Sequence, residues 1–383
     1  MHIAAAGTCE SERVTKMESV YADKKRCCGC GACQNTCPVG AIVMVPDGEG
    51  FLYPTIDRQK CTDCRNCLAV CPLLWHRKLK EAAEPTFYAA KHKREEVLMR
   101  SSSGGAFTAI SDVILKRGGV VYGADFGEGF RVEHARANTE AGRDRFCRSK
   151  YAQSVTHNAY ANVVRDLREG RTVLFTGTPC QTAGLRGLMR RRMYPENLYA
   201  CDVICHSVPS PLVWSDFKKL LEKENGDRVA EVYFRTKARP WTRENMNTAF
   251  QYRLAGESDY RFDRRFFDLF FLAGTIVRRS CYVCPFTDIH RASDVTIADY
   301  MGIEKYMPDF YDTRGVSLVM SNSSKGEALF EEAKKDLIFH KRPAAEALAE
   351  QKRLSSPAAE PEALDEFWRE YRERGLAHIL ETY

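Results

Sequence analysis

Two stretches near the start of the chain repeat one pattern of closely spaced cysteines. The first reads Cys27-x2-Cys30-x2-Cys33-x3-Cys37-Pro, and the second reads Cys61-x2-Cys64-x2-Cys67-x3-Cys71-Pro. Three thiolates spaced by two residues can surround one corner of a 4Fe-4S cubane, while the fourth ligates the neighbouring cluster. The spacing therefore predicts two clusters with crossed ligand sets. One set is Cys27, Cys30, Cys33 and Cys71, and the other is Cys37, Cys61, Cys64 and Cys67.

Zinc is the competing interpretation of these cysteines, because x2 spacings also occur in zinc sites. Zinc normally takes its four ligands from two paired Cys-x2-Cys units, so a duplicated four-cysteine run that ends in Cys-Pro favours clusters. Gly29 and Gly31 suit the first loop, since a glycine backbone can approach the inorganic sulfides closely. Cys28 is the spare thiol of the motif. The segment closely resembles a bacterial two-cluster ferredoxin domain.

The composition is that of an ordinary soluble protein, with 383 residues, 44% hydrophobic residues, 28% charged residues and 16 cysteines. We expect two or three domains and a cytoplasmic location, because no apolar run of signal-peptide or membrane-span length is present. Cytosolic thiols stay reduced, so dense cysteine clusters there more often hold metal than form disulfides. The net charge of +6 comes from short scattered basic groups. This pattern favours a small acidic protein or a phosphate over DNA as a partner, and a solvated surface is the alternative.

Beyond a short charged linker at residues 80–86, the pattern becomes mixed α/β. Residues 106–116 and 325–335 are typical of helices, and the last helix should place Leu364, Phe367 and Tyr371 on one face. In the ferredoxin-like part, AIVMV and FLYPTI flank the turn DGEG and predict a hairpin. The predicted strands beyond the linker are GGVVYGADF, TVLFT, LYACDVI, VAEVYF, VTIAD and VSLVMS. Several are continuous apolar runs, as expected when helices cover both faces of a sheet.

Four further cysteines stand at loop positions where α/β sheets collect ligands. Cys180 follows the strand TVLFT, Cys205 follows LYACDVI, and Cys281 and Cys284 form a C-x2-C pair. Buried cysteine as a small hydrophobe is the alternative for each thiol, but the set favours a third 4Fe-4S cluster. Cys201 competes with Cys205, and on an extended strand it lies about 13 Å away. We prefer Cys205, which leaves Cys9, Cys28, Cys147 and Cys201 unassigned.

The stretch RSSSGGAFTAISDVILK places a Ser/Gly loop before a predicted helix. Such a helix start offers unpaired N–H groups to a phosphate, although Ser/Gly loops also simply cap helices. Neither a strand-linked G-x-G-x-x-G nor a P-loop motif is present, which argues against a nicotinamide dinucleotide or a P-loop nucleotide. RSKYAQS, residues 148 to 154, adds a lysine, an aromatic ring and hydroxyls, with a polar surface loop as the alternative.

Several motifs together resemble the family of the coenzyme F-420-reducing hydrogenase beta subunit. They are SSSGGAFTAI, GGVVYGADF, SKYAQS, LFTGTPCQTAGL, CDVICHSVPSP, SCYVCPF and RASDVTIADYMGIEK. The resemblance runs from about residue 21 to residue 335. It implies an α+β two-cluster ferredoxin-like domain followed by a mixed α/β flavin and iron-sulfur domain. The implied organisation is a tail at 1–20, the ferredoxin domain at 21–79, N-terminal-type and C-terminal-type beta-subunit regions at 87–165 and 166–345, and a helical segment at 346–383.

The resemblance also implies positions for the cofactors. Near FAD it places Ser103, Gly104, Gly105, Lys150, Tyr151, Gln153, Gly177 and Thr178, and at the third cluster it places Cys180, Cys205, Cys281 and Cys284. Where relatives show Gly-Asp-x-Trp-Gly, this chain has Ala298, Asp299, Tyr300, Met301 and Gly302. The aspartate is kept and the tryptophan is replaced.

We therefore expect an anaerobic oxidoreductase in which ferredoxin or a similar low-potential donor supplies electrons through the clusters to FAD and then to a two-electron small molecule, or the reverse. His206 is a candidate proton donor, or it only hydrogen-bonds a cluster sulfide or the backbone. Lys150 would neutralise reduced flavin, and Asp299 is the third catalytic candidate. An electron-transfer subunit without its own substrate, assembled as a homo- or hetero-oligomer, and a non-catalytic iron-sulfur sensor are the alternatives.

Overall fold

A mixed eight-stranded sheet forms the centre of the chain, together with an N-terminal hairpin and a separate three-stranded sheet. The computed structural model describes residues 23–81, 84–189, 195–242, 244–245 and 249–382. The strands are β1 (Ile42–Pro46), β2 (Leu52–Ile56), β3 (Thr86–His92), β4 (Val120–Phe126), β5 (Val132–Ala137), β6 (Val173–Gly177), β7 (Leu198–Val203), β8 (Val229–Tyr233), β9 (Phe250–Leu254), β10 (Arg261–Asp263), β11 (Val295–Asp299), β12 (Ser317–Ser321) and β13 (Leu337–Arg342).

Helices of two to five turns, with some shorter ones, connect these strands. They are α1 (Ala32–Thr36), α2 (Asn66–Val70), α3 (Pro72–Trp75), α4 (Glu95–Arg100), α5 (Ala106–Lys116), α6 (Glu140–Asp144), α7 (Ala159–Arg168), α8 (Pro179–Met189), α9 (Pro211–Asn225), α10 (Arg265–Phe267), α11 (Ile303–Tyr306), α12 (Ser324–Ala333), α13 (Ala344–Ala349) and α14 (Leu364–Thr382). Single 3-10 turns are Lys24–Arg26, His76–Glu81, Glu128–Phe130, Arg279–Cys281, Lys334–Asp336 and Lys352–Leu354, and Asp268–Leu272 is a π-helix.

The ferredoxin-like part contains the predicted hairpin and two short helices that follow the cysteine loops. Strands β1 and β2 pair antiparallel, with Ile42 opposite Ile56 and Pro46 opposite Leu52. Helices α1 and α2 begin inside the two cysteine motifs and contact each other. The hairpin prediction is confirmed, and the predicted tail at 1–20 lies outside the described residues.

The large sheet has the strand order β13-β3-β12-β11-β7-β6-β4-β5. Strands β11, β7, β6 and β4 are parallel, and the outer pairings are antiparallel. One sheet face packs under α5 and α12, and the other packs under α7 and α8. Because both faces are covered, the central strands contain continuous apolar runs, as in β6, where Val173, Leu174 and Phe175 are all buried. The predicted cover on both faces is confirmed.

A second, aromatic core joins the small sheet to α9 and α14. Helix α9 begins with the Ser210 hydroxyl accepting from the Val213 N–H and with Pro211 at its first position, a combination that favours a helix start. The predicted apolar face of α14 is buried here, as Leu364, Phe367 and Tyr371 all belong to this core. Its other buried aromatic residues include Trp214, Phe217, Phe234, Phe250, Phe266 and Trp368.

Two features of the predicted organisation differ from the structure or extend it. The strand VAEVYF belongs to the three-stranded sheet β10-β9-β8 and not to the large sheet. The proposed boundary between residues 165 and 166 falls inside α7, and β4 and β6 on either side of it pair directly. The split of residues 87–345 into two regions, like the helical segment at 346–383, stays a sequence-based prediction. No helix of the described residues is long and apolar enough to span a bilayer.

Candidate functional site

Two small pockets in the ferredoxin-like part are lined by the two predicted ligand sets. The first pocket is lined by Cys27, Cys30, Cys33 and Cys71, together with Cys28. The second is lined by Cys37, Cys61, Cys64 and Cys67. The fourth cysteine of each motif thus contributes to the pocket of the other motif, as the crossed arrangement requires. Among the described residues, no group of three or more His, Cys, Asp or Glu side chains could hold a single metal ion.

The two cysteine loops adopt the same backbone conformation with different residues. Gly29 and Gly31 have φ of +65° and +77°, and the equivalent Asp63 and Arg65 have φ of +50° and +56°. A left-handed conformation alone therefore does not explain the glycines. A Cβ on Gly29 would lie 2.8 Å from both Arg278 Nη1 and Gln153 Nε2, and one on Gly31 would lie 2.4 Å from Thr156 Oγ1. The first loop needs glycine because it packs against the α/β part of the chain.

A cavity of about 320 Å³ lies at the carboxyl ends of the parallel strands β6, β7 and β11. Gly177, Val203 and Asp299, at the ends of these three strands, all line it. Ligands collect at this edge of parallel sheets because the loops there diverge. Thiols and the loop that precedes α5 both contribute to its lining.

The four cysteines predicted for a third cluster all line this cavity. Burial and the nearby thiols Cys281, Cys180 and Cys284 raise the pKa of Cys205. Burial raises the pKa of Cys281 to about 12 and that of Cys284 to about 11. Cys201 also borders the cavity, but the charges that act on its thiol are the carboxylates of Asp202 and Asp294. The geometry groups Cys205, rather than Cys201, with the other three thiols.

Cys28, the spare thiol of the first motif, lies between the first pocket and the cavity and lines both. A hydrogen bond with Cys28 and burial raise the pKa of Cys180. The two thiol groups are therefore in contact, although 152 residues separate them in the sequence. The motif alone gives no sign of this contact, because it depends on how α8 packs on the ferredoxin-like part.

Seven of the eight residues predicted to contact flavin line the cavity: Ser103, Gly105, Lys150, Tyr151, Gln153, Gly177 and Thr178. Gly105 has φ of +84° and precedes α5. The first residues of this helix, whose N–H groups have no partner within the helix, also line the cavity. Gly104 is the exception and does not line it. A Cβ on Gly104 would lie 2.3 Å from the carbonyl oxygen of Ala90 and 2.5 Å from the nitrogen of Ser317. Close packing on the sheet therefore explains this glycine.

The three predicted catalytic side chains line the cavity in different electrostatic states. Asp299 accepts hydrogen bonds from Arg235 Nη1 and Trp241 Nε1, both at 2.9 Å, and Arg235 lowers its pKa against the effect of burial. Burial lowers the pKa of Lys150 to about 8, and its Nζ donates to backbone carbonyls, including that of Arg145 at 2.9 Å. The His206 side chain is exposed toward the cavity, and the protein atoms around it lower its pKa to about 4.

Two basic residues that the sequence did not single out hold the Ser/Gly loop beside the cavity, and Arg235 also lines it. Arg235 Nη2 also donates to the Ser102 carbonyl at 3.3 Å, and Lys237 Nζ donates to the Ser103 carbonyl at 3.1 Å. Burial lowers the pKa of Lys237 to about 7. Both basic residues lie shortly after β8. The Arg-x-Lys pair after a predicted strand is the sequence feature that could have indicated them.

Known families account for both parts of the chain. Residues 26–73 match the 4Fe-4S dicluster domain, and residues 170–347 match the family described as the C terminus of the coenzyme F420 hydrogenase/dehydrogenase beta subunit. Residues 170–347 belong to the C-terminal family of the coenzyme F420 hydrogenase/dehydrogenase beta subunit, and this match spans a little under half of the chain. This F420 hydrogenase beta-type chain is an iron-sulfur electron-transfer protein, and the dicluster match decides between clusters and zinc for the eight cysteines of the two motifs.

Individual relatives match the ferredoxin-like part alone. An uncharacterized ferredoxin of Methanocaldococcus jannaschii is 34% identical over 53 residues, which are 14% of this chain and 68% of the relative. A ferredoxin of Pyrobaculum islandicum is 36% identical over 69 residues, 18% of this chain and 61% of the relative. One component of the Na⁺-translocating ferredoxin:NAD⁺ oxidoreductase complex of Acetobacterium woodii is 40% identical over 58 residues, 15% of this chain and 16% of the relative. This chain therefore spans less than two thirds of the last two.

A solved structure resembles most of the beta-type chain. It belongs to the F420-reducing [NiFe] hydrogenase complex from Methanosarcina barkeri and aligns with a TM-score of 0.50, covering 76% of this chain and 93% of that chain. The aligned residues are 17% identical, so the likeness concerns the fold. The mixed α/β fold after an N-terminal ferredoxin-like domain is thereby confirmed.

Proposed function

We propose that this chain is an iron-sulfur flavoprotein oxidoreductase that passes electrons between ferredoxin, or a similar low-potential donor, and a small two-electron substrate. The observation that carries the proposal is the shared cavity, which is lined both by the four predicted cluster cysteines and by seven of the predicted flavin residues. In electron-transfer proteins, carriers that exchange electrons must lie close together. A single cavity bordered by both residue sets meets this requirement.

A third 4Fe-4S cluster would be held by Cys180, Cys205, Cys281 and Cys284. The donor set fits, because the four thiols are partly buried, interact electrostatically and border one cavity. Thiolate sets of this kind are the usual ligands of 4Fe-4S clusters. Cys28 lies beside this set and beside the first ferredoxin pocket, so the two cluster sites would be neighbours.

FAD would occupy the part of the cavity next to the start of α5. When bound, a flavin would supply the exchange between single electrons and electron pairs, while the protein orients it and limits access of water. The N–H groups at the start of α5 can bind phosphate oxygens. The Tyr151 ring packs among four phenylalanines, with centroid distances of 5.2 to 5.9 Å, and forms a rigid wall.

His206, Lys150 and Asp299 are the proposed residues for proton and charge handling. Asp299 stays ionised and fixes the guanidinium of Arg235, whose charge faces the cavity. Lys150 adds a positive charge beside the predicted flavin residues while its hydrogen bonds hold the turn at residues 145–148. His206 lines the cavity next to Cys205, but its lowered pKa of about 4 leaves the imidazole neutral near pH 7, which favours the alternative role of a hydrogen-bond partner over that of proton donor.

An electron-transfer subunit without its own substrate is the second candidate. It is favoured by the related fold in a hydrogenase complex from Methanosarcina barkeri and by the family name, which describes a beta subunit. Under this proposal the chain would bind the same cofactors but would need a partner enzyme for turnover. The sensor alternative predicts no flavin. A cytoplasmic location and an anaerobic setting stay predictions.

Anaerobic purification followed by iron and flavin analysis tests the proposal. We expect one FAD and about twelve iron atoms per chain, four for each of three clusters. Cys281→Ala and Cys284→Ala should lower the iron count to about eight, and the matched control Cys201→Ala, a buried thiol outside the proposed ligand set, should keep it at about twelve. About eight irons in the unmodified protein would refute the third site. Absence of flavin would refute the flavoprotein proposal.

A further inference from the structure

Arg278 is a fully buried arginine between the ferredoxin-like part and the cavity. Its Nε donates to the Cys27 carbonyl at 2.9 Å, and its Nη2 donates to the Leu52 carbonyl at 3.0 Å. Its Nη1 donates to Gln153 Oε1 at 2.8 Å. One guanidinium therefore contacts the first cysteine loop, the ferredoxin hairpin and the cavity wall.

The positive charge of Arg278 has no carboxylate partner among the described residues, since its hydrogen bonds go to neutral acceptors. Its guanidinium lies 4.2 Å from the ring centroid of Tyr53. The groups around it that can carry negative charge include the thiols of Cys27, Cys28 and Cys281. Because a buried charge is costly unless it is compensated, these thiols, or a cluster that they border, are the natural counter-charge.

Gln153 connects Arg278 to the segments around it. Its Nε2 donates to the Cys28 carbonyl at 3.0 Å while its Oε1 accepts from Arg278, and its backbone N–H donates to the Pro209 carbonyl at 3.2 Å. The Arg278 backbone N–H donates to the Val208 carbonyl at 3.1 Å. The loop of the first cluster and the segment that follows Cys205 are thus held by the same two side chains.

Among the residues that the structure describes, no buried arginine contacts the second cysteine loop in this way. Asp63 and Arg65, at the positions equivalent to Gly29 and Gly31, are exposed, and so is Cys64. Gly29 leaves room for the Arg278 guanidinium and the Gln153 amide, as the 2.8 Å distances from a built Cβ show. The two cluster sites therefore differ in charge surroundings although their cysteine motifs have the same spacing.

We propose that Arg278 raises the reduction potential of the cluster held by Cys27, Cys30, Cys33 and Cys71 above that of the second ferredoxin cluster. A cluster gains one negative charge when it accepts one electron, and a fixed positive charge in a low-dielectric interior stabilises the reduced form. An electron that enters at the exposed second site would then settle at the first, beside the cavity. The potential difference rests on the dicluster domain alone, and the direction of flow toward the cavity rests on the proposed function.

A redox titration followed by EPR, with dithionite as reductant and mediator dyes, tests this proposal on the full chain. Arg278→Gln should lower the midpoint potential of one ferredoxin cluster and leave that of the other unchanged, whereas Arg278→Lys, which keeps the charge, should retain most of the potential. Arg279→Gln is the matched control, because the charge of this neighbouring arginine is already paired with Glu49 at 2.8 Å. Signals of the two clusters are assigned with Cys27→Ala and Cys61→Ala.

Gln153→Glu provides a second variant that keeps the arginine. A carboxylate at this position would neutralise Arg278 across the 2.8 Å contact and should lower the same potential. Three outcomes would overturn the proposal. The midpoint potentials of both clusters shift equally, neither Arg278→Gln nor Gln153→Glu shifts a midpoint potential, or Arg278→Lys shifts it as much as Arg278→Gln does. These readouts concern the ferredoxin clusters, so they remain valid if the third cluster or the flavin proves absent.

Discussion

Substitution of Gly104 by alanine separates two explanations for the Ser/Gly loop before α5. The sequence resemblance places Gly104 at the flavin, whereas the structure places it against the sheet. A Cβ would lie 2.3 Å from the Ala90 carbonyl oxygen and 2.5 Å from the Ser317 nitrogen. These two atoms belong to residues paired across β3 and β12. Neither can move without disturbing the sheet, so we expect the loop to be displaced instead.

Overpacking of a close-packed interior should lower the free energy of unfolding of Gly104→Ala by about 1–3 kcal/mol. This loss corresponds to a fall in Tm of roughly 2–4 °C per kcal/mol for a larger domain. The assay is thermal unfolding of flavin-free Gly104→Ala, followed by circular dichroism. Gly48→Ala is the matched control, because Gly48 is exposed and a Cβ there meets no atom within 4 Å. If flavin-free Gly104→Ala unfolds at the same temperature as the flavin-free parent, the packing explanation is wrong and a direct flavin contact is favoured.

Two further predictions concern buried charges of the α/β part. Burial holds the pKa of Lys237 near 7, below its ordinary value of 10.5, among Asp299, Arg235, Asp312 and Arg148. The buried, protonated amine therefore destabilises the folded state. This destabilisation is complete below about pH 7 and disappears as the pH rises toward 10. Lys237→Met should thus raise Tm more at pH 6 than at pH 9, and an equal change at both values would contradict this. Arg143→Met removes the fully buried partner of Asp112, 2.6 Å away, and should cost about 3–5 kcal/mol in urea unfolding. The exposed pair of Arg264 with Asp268 gives the control, for which Arg264→Met should leave the urea unfolding midpoint almost unchanged.

Features that depend on short-range patterns were predictable from the sequence. The crossed cysteine sets follow from ligand spacing within each motif, and each set lines one of the two pockets. Helix α5 has the predicted bounds Ala106–Lys116, because an apolar run between Gly105 and a Gly-Gly pair leaves little choice. The hairpin around DGEG is equally local.

Features that depend on contacts between distant segments were not predictable. Arg278 carries no local signal, since its partners Cys27, Leu52 and Gln153 are far away in sequence. The resemblance placed Gln153 at the flavin, and the structure adds that its amide spans Arg278 and the Cys28 carbonyl. Edge strands such as β13 have few continuous apolar residues, because one face is exposed, and the strand patterns did not include them.

Backbone packing, rather than a flexible tether, sets the distance between the ferredoxin pockets and the cavity. Helix α8, which contains Cys180 in its first turn, lies directly on the ferredoxin-like part. A Cβ on Gly184 would lie 3.0 Å from Cys30 Sγ, and one on Gly187 would lie 2.3 Å from the Val70 carbonyl oxygen. Larger residues at these positions would push α8 away from the first pocket and move Cys180 with it. The two glycines therefore hold the first pocket and Cys180 at a fixed separation, as the proposed electron exchange between neighbouring clusters would require.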